Sequence, residues 1–290
     1  MELFKKIFRI TSRIVLGGMI IGLLLFTYTY LEPYRLVIKE VTINVPNWNR
    51  ELNGFKVVAI SDIHGGSHTI TEERIRKITE QINAQNPDII VMLGDFVSQV
   101  HDNVPIKKRD LKMPIETIAK NLSGLKSKYG VFVVIGNHDW WFDDQKCRTE
   151  FEKVGFTVLE NETKSFVVNN NTVTVLGIED FWRRGVVDVK DVLEKLPSQE
   201  NIIGITHNPE SFDQTPQSLS ILLAGHTHGG QVNFPFIGAP IVPAKKEFTA
   251  GHIEKEGRNL FVTTGIGTSG LPFRFRVPPE IVVTTLNSKE

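Results

Sequence analysis

The chain has 290 residues, 41% of them hydrophobic and 23% charged, with Lys+Arg 33 against Asp+Glu 33. Those values exclude a disordered, collagen-like or all-helical membrane protein, and the zero net charge lacks the basic excess of a nucleic-acid binder, so no nucleic-acid partner is expected. The single cysteine, Cys147, excludes an internal disulfide and a cysteine-rich zinc site. No base is placed beside it in the sequence, and it reads as inert.

The N-terminal stretch differs from the rest. Residues 1–13 carry Lys5, Lys6, Arg9 and Arg13 against Glu2, whereas residues 14–31 carry no charge at all. At the helical rise, about 18 residues almost cross a 30 Å hydrocarbon core. Tyr28, Tyr30 and Tyr34 stand at the far end, where interfacial aromatics gather. The basic flank predicts a cytoplasmic N-terminus, with everything after Leu31 outside the cytoplasm. A cleaved signal peptide is the nearest rival, but FTYTYLEPY offers no small-x-small cleavage site. The expected organisation is a basic cytoplasmic segment 1–13, a transmembrane anchor 14–31, a connector with an edge strand 32–54, and a folded domain 55–290. The pattern predicts a single-pass protein of the cell membrane with its domain on the extracytoplasmic side.

Within the connector, Leu36 to Val45 alternates as an edge strand does. Beyond it, short apolar runs each end in a polar motif. Phe55–Ile60 leads to Ser61-Asp62-Ile63-His64, and Ile89–Leu93 leads to Gly94-Asp95. Val131–Ile135 leads to Gly136-Asn137-His138-Asp139, Ile202–Ile205 to Thr206-His207-Asn208, and Ile221–Ala224 to Gly225-His226-Thr227-His228. β-Branched runs of this length read as buried strands. Between them, Thr71 is the predicted N-cap of a helix whose inner face is Ile75, Ile78 and Ile82, with Ile70 stapled to Ile75. Pro114 opens a second helix along Ile118, Leu122 and Leu125, and Val189, Val192, Leu193 and Leu196 mark a third. Residues 166–178 and 260–286 read as strand-rich, and 98–112 as a polar surface insertion.

Ligands gather beyond the carboxyl ends of strands in α/β sheets. The strand ends here pool Asp62, His64, Asp95, Asn137, His207, His226 and His228, a set of carboxylates, imidazoles and one amide. It suits two borderline or hard divalent ions. Asp95, alone on its strand end, is the natural bridge between them. His68, His101 and His252 match no motif and read as structural or exposed.

At these residues the sequence resembles the calcineurin-like metallophosphoesterase superfamily, whose pattern is D-x-H, G-D, G-N-H-[DE], a lone His and G-H-x-H. All five blocks occur in that order, and the likeness continues through Gly229-Gly230-Gln231 and Pro278-Pro279-Glu280. It is most similar to the bacterial, membrane-anchored branch. The resemblance implies an α/β fold of two packed β-sheets flanked by helices, here preceded by one N-terminal transmembrane helix. It implies a dimetal phosphoric ester hydrolase that uses a metal-bridging hydroxide, its ions being Mn, Fe, Zn or Mg. Metal one would take Asp62, His64, Asp95 and His228; metal two would take Asp95, Asn137, His207 and His226. His138 would act on the leaving oxygen, held by Asp139.

Protein phosphatases of the superfamily carry an arginine soon after the Gly-Asp block, where this chain has Phe96-Val97-Ser98-Gln99. A phosphodiester or pyrophosphate is therefore expected, small or lipid-linked and close to the membrane. Phe234, Phe236, Ile237, Phe273 and Phe275 offer apolar surface, and Arg274 and Arg276 are candidate substrate contacts. Arg183 and Arg184 read as a solvated pair, and Trp140, Trp141 and Phe142 as packing residues near the mouth. Two other readings stand beside this one. A UDP-2,3-diacylglucosamine-type lipid pyrophosphate hydrolase conflicts with the outward topology. A non-catalytic metal-binding surface module would be expected to have lost ligands, and none is lost. No protein partner is expected.

Overall fold

The structure, a computed structural model, describes residues 1–99 and 110–289. His101 and most of the insertion expected at 98–112 lie outside the described residues. Helix α1, Glu2–Leu31, starts ahead of the expected anchor, so the basic segment forms its first turns. By length and composition the span Phe4–Tyr34 is sufficient to cross a membrane. Its polar side chains are satisfied within the helix: Thr27 Oγ1 donates to Leu23 O at 2.8 Å and Thr29 Oγ1 to Leu25 O at 2.7 Å.

The remaining elements follow in chain order: β1 Val37–Val45, β2 Phe55–Ile60, α2 Glu72–Asn83, β3 Ile89–Met92, α3 Ile115–Leu122, β4 Val131–Val133, α4 Asn137–Phe142, α5 Asp144–Lys153, β5 Thr157–Val158, β6 Glu162–Val168 and β7 Asn171–Ile178. Then come α6 Phe181–Arg184, α7 Lys190–Glu194, β8 Ile202–Thr206, β9 Leu219–Ala224, β10 Gly251–Lys255, β11 Arg258–Val262 and β12 Glu280–Ser288. Two six-stranded sheets result, ordered β1-β12-β2-β3-β4-β5 and β10-β11-β9-β8-β7-β6. The five apolar runs that end in polar motifs are β2, β3, β4, β8 and β9. Within each sheet these strands are neighbours and parallel, which brings their carboxyl ends together.

The sheets pack face to face. Val57, Ala59, Val91 and Phe132 of the first meet Val175, Ile203, Ile205 and Leu223 of the second in one core. The outer face of the first sheet is covered by α2, α3 and α5 through Ile75, Ile78, Ile118, Leu122 and Phe151. The outer face of the second is covered by Val189, Leu193 and Phe212. Coverage on both faces explains why the central strands read as unbroken apolar runs rather than alternating ones. The helix starts follow the sequence: Thr71 accepts from Arg74 N at 3.2 Å, and Pro114 stands at the N-cap of α3.

The edge strand expected within 32–54 is β1, which stands at the edge of the first sheet and pairs with β12 along its whole length. One expectation is corrected. Residues 263–279 are loop, not strand, between β11 and β12. Their β-branched and aromatic residues imitate strand, but Gly265, Gly267 and Gly270 and the pair Pro278-Pro279 break the ladder. This loop seats the C-terminal end of α1. Phe273 meets Phe26 with ring centroids 5.8 Å apart, Phe275 meets Tyr28 at 5.6 Å, and Arg274 N donates to Thr29 O at 3.2 Å. On the other side His68 packs on Tyr30 at 4.7 Å, which gives that unmatched histidine a structural place.

Candidate metal centre

Seven side chains from the five strand ends converge in one buried cluster, none more than 5% exposed. Asp62, His64, Asp95, His226 and His228 all hold φ between 47° and 71°. Left-handed backbone is costly for residues with a Cβ and survives where surrounding structure enforces it, commonly at functional sites. The approach between strand ends is close enough to require glycine at two points. A Cβ on Gly225 would lie 1.9 Å from Ser61 Oγ, and one on Gly136 would lie 2.4 Å from Asp95 Oδ1.

The ligand atoms fall into two overlapping groups. In one, His228 Nε2 lies 3.2 Å from His64 Nε2 and 3.4 Å from Asp62 Oδ1, with Asp95 Oδ2 at 3.7 Å from His64 Nε2. In the other, His207 Nε2 lies 3.3 Å from Asp95 Oδ2, 3.1 Å from Asn137 Oδ1 and 3.1 Å from His226 Nδ1. Asp95 Oδ2 faces both groups. Clusters with this reach are able to hold metal ions.

Three observations test the fit. His207 Nδ1 donates to Leu93 O at 2.7 Å, His64 Nδ1 to Val97 O at 3.3 Å and His226 Nε2 to Pro243 O at 3.1 Å. Each bond fixes the tautomer and turns the other ring nitrogen, as a lone pair, toward the cluster. Second, Asp62 Oδ1 is buried without a hydrogen-bond partner, a costly state for a carboxylate oxygen unless a cation meets it. Third, burial lowers the pKa of His64 and His226 to about 3, so both rings are neutral as ligands must be. Burial would do the same to His207, but the carboxylate of Asp95 overrides it and pushes the pKa up to about 10, so that a proton on Nε2 faces Asp95 unless a cation takes its place and frees the lone pair. The cluster therefore calls for positive charge beside Asp95. The residues present fit two divalent ions.

Asp139 has a different part from the expected one. Its carboxylate accepts from the backbone N–H groups of Asp95, Phe96, Val97 and Gly136 at 2.8, 2.8, 3.1 and 3.0 Å. It pins the loop that presents Asp95 and does not touch the His138 ring. That ring is held by Gln99, which the sequence reading passed over. Gln99 Nε2 donates to His138 O at 2.8 Å, which turns Gln99 Oε1 to His138 Nδ1 at 2.9 Å. A proton on Nδ1 follows, and Nε2 is left for a substrate.

Arg274 is corrected as well. It is fully buried, and its guanidinium donates to the carbonyls of Gly267, Val277, Thr264 and Gly265. A side chain so engaged holds the loop 264–277 and does not reach substrate. Its Nη2 stands 3.5 Å from His228 Nδ1, where with burial and His64 it keeps that ring well below its ordinary pKa. Arg276 is exposed and lies outside the cavity lining. Arg183 and Arg184 are spent on Glu179, with Asp144 and Glu160 also meeting Arg183. Cys147 is buried, and burial with nearby acids drives its thiol pKa up, so it stays a thiol.

A cavity of about 240 Å³ opens beside the cluster, lined by Asp95, His138, Trp141, Trp182, His226 and Ile241 among others. Trp141 packs on His138 at 5.0 Å and Trp182 on His226 at 4.3 Å. Trp182 was not foreseen. Trp140 turns away, its Nε1 donating to Asp180 Oδ2 at 2.8 Å.

The sequence pattern of calcineurin-like phosphoesterases matches residues 55–230. This chain belongs to that family. It is thus a metallophosphoesterase, a metal-dependent hydrolase of phosphoric esters, with candidate ligand clusters of the kind this dimetal family uses. The phosphoesterase is 28% identical over 277 residues to an uncharacterized metallophosphoesterase of Aquifex aeolicus, covering 93% of this chain and 99% of that one. It is 30% identical over 263 residues to the uncharacterized metallophosphoesterase YkuE of Bacillus subtilis, covering 89% and 88%. It is 28% identical over 269 residues to a transmembrane protein with metallophosphoesterase domain of Danio rerio, covering 86% of this chain and 56% of that longer one.

Proposed function

We propose that this phosphoesterase hydrolyses a phosphodiester or pyrophosphate bond in a substrate held close to the membrane. The observation that carries the reading is the cavity lining. Among the described residues that line it, histidines, tryptophans and amides face the space beside the cluster, and neither lysine nor arginine does. A phosphomonoester dianion, which gains most from a guanidinium or ammonium partner, is less well served there than a singly charged diester.

In this reading Asp62, His64, Asp95 and His228 would hold one ion, and Asp95, Asn137, His207 and His226 the other. Two divalent ions so bound would supply positive charge to the phosphoryl oxygens and acidify a water molecule. The chain itself orients the reaction. His138, clamped by Gln99, presents Nε2 to the leaving oxygen. In its doubly protonated form, with Nδ1–H held by Gln99 Oε1, the ring would pass its Nε2 proton to the departing oxygen as that P–O bond breaks, while the attacking water oxygen bonds to phosphorus and gives up its own proton to solvent. Trp141 and Trp182 narrow the space on either side. Membrane attachment through α1 is supported by its length and by the transmembrane relative. The basic first turns favour a cytoplasmic N-terminus and an outward domain, and a reporter fused after Glu290 reads that side.

The test is a substrate screen on the purified full chain in detergent, supplied separately with Mn, Fe, Zn and Mg. Bis(4-nitrophenyl) phosphate should be cleaved faster than 4-nitrophenyl phosphate, and chelation should stop both. A clear preference for the monoester would overturn the diester reading.

A further inference from the structure

An apolar groove of about 580 Å³ joins the metal centre to helix α1. Leu25 and Thr29 of the helix form one wall; Val232, Phe234, Leu271 and Phe273 form the other. Gly230, Gln231, Ile241 and Ser269 line both this groove and the cavity beside the candidate ligands, so the two spaces meet. No charged side chain lines the groove among the described residues.

The depth of the groove identifies its surroundings. Arg13 is the last charge before the apolar run, and Leu25 lies twelve residues beyond it, about 18 Å along the helix axis. That is past the middle of a hydrocarbon core about 30 Å thick and short of its far boundary. Phe273 and Phe275 are seated on Phe26 and Tyr28 and reach the same level. Around them Phe236 is fully exposed, and Ile237, Ile241 and Leu271 are largely exposed. A patch of this kind is a liability in water but not among lipid chains. Adjoining the groove at Ser269 and Gly270, and the cavity at His138, lies a polar hollow of about 450 Å³, lined by Ser67, Ser98, Gln99 and Lys112. An amphiphile would therefore find an apolar and a polar space meeting beside the metal centre.

We propose that the groove takes a hydrocarbon chain of a membrane lipid whose phosphodiester or pyrophosphate group is the substrate, with the polar head in the hollow. This rests on the function proposed above and names the substrate class as lipid drawn directly from the bilayer. Helix α1 then forms part of the binding site as well as attaching the domain to the bilayer.

The probe is a nitrophenyl phosphodiester of a C16 alcohol with a diazirine at the chain end, added without metal to the full chain in phosphatidylglycerol nanodiscs. Illumination should label residues 25, 232, 234, 271 and 273. Label spread along residues 14–24, or chain-to-chain crosslinks through the groove that mark it as a contact between copies, would overturn the proposal. In parallel, the metal-loaded protein should prefer the hexadecyl over the ethyl nitrophenyl diester by about tenfold or more in kcat/KM. Leu271→Asp and Val232→Trp should bring that ratio toward one; an unaltered ratio in both variants would overturn the proposal. Labelling does not depend on turnover. Groove labelling with neither ester cleaved would sink the diesterase reading alone, whereas cleavage without chain-length preference or groove labelling would sink the lipid groove alone.

Discussion

The inner and outer walls of the site are built by different means. On the inner wall the seven candidate ligands are buried, and most are fixed by backbone: carbonyls of Leu93, Val97 and Pro243 orient three imidazoles, and the N–H of His226 donates to Asp62 Oδ2 at 3.0 Å. On the outer wall His138, Trp141 and Trp182 are partly exposed, and side chains from loops do the holding, above all Gln99. Backbone support resists substitution and keeps several ligand atoms within a narrow tolerance. Side-chain support is more easily altered by a single substitution.

The largest effect is expected on the inner wall. Asp95→Asn removes the carboxylate that faces both ligand groups, so the purified variant should lose both ions together and its activity with them. Metal analysis alongside rate measurement checks this; a variant with full metal content and rate would break the inner-wall assignment. Next comes the outer wall. His138→Ala should keep its metal and lose about 10²–10⁴-fold in rate on an alkyl leaving group. The loss should shrink on a nitrophenyl ester, whose leaving oxygen needs no proton. Equal losses on both esters would withdraw the acid role. Gln99→Ala should move in the same direction by about tenfold, with Gln99→Glu recovering part by restoring an acceptor to Nδ1. The smallest effect on rate at saturating metal belongs to Asp139→Asn. Its damage should appear as metal affinity weakened by about 10–100-fold, because the loop that presents Asp95 loosens. Unchanged affinity measured by metal titration would remove Asp139 from the support of the inner wall.

The inner wall was legible in the sequence because each part of it is local. A short apolar run makes a strand, and the polar motif that follows is its end; five of these suffice to name the ligand candidates. The outer wall was not legible because its contacts join distant loops. Nothing near Gln99 in sequence announces His138, and nothing near Trp182 announces His226. Arg274 misled for a related reason. An arginine near a family block looks like an anion contact, yet burial among loop carbonyls spends it on structure. Asp139 was assigned to its chain neighbour His138, while its oxygens turn to the backbone of a different strand end. The alternation of β1 was legible as an edge strand, and β1 is one; that its partner is β12, far away in the chain, has no local signal.

That pairing has a consequence for how the molecule is assembled. β1 runs parallel to β12 over nine residues, from Val37 beside Glu280 to Val45 beside Ser288, and β12 also binds β2 on its other side. The strand that follows α1 thus has its only ladder partner more than 230 residues along the chain. Closure over such a separation is of the kind that is slow to form and open to mispairing. β12 is a latch: it joins the strand next to α1 to the sheet that carries the candidate ligands.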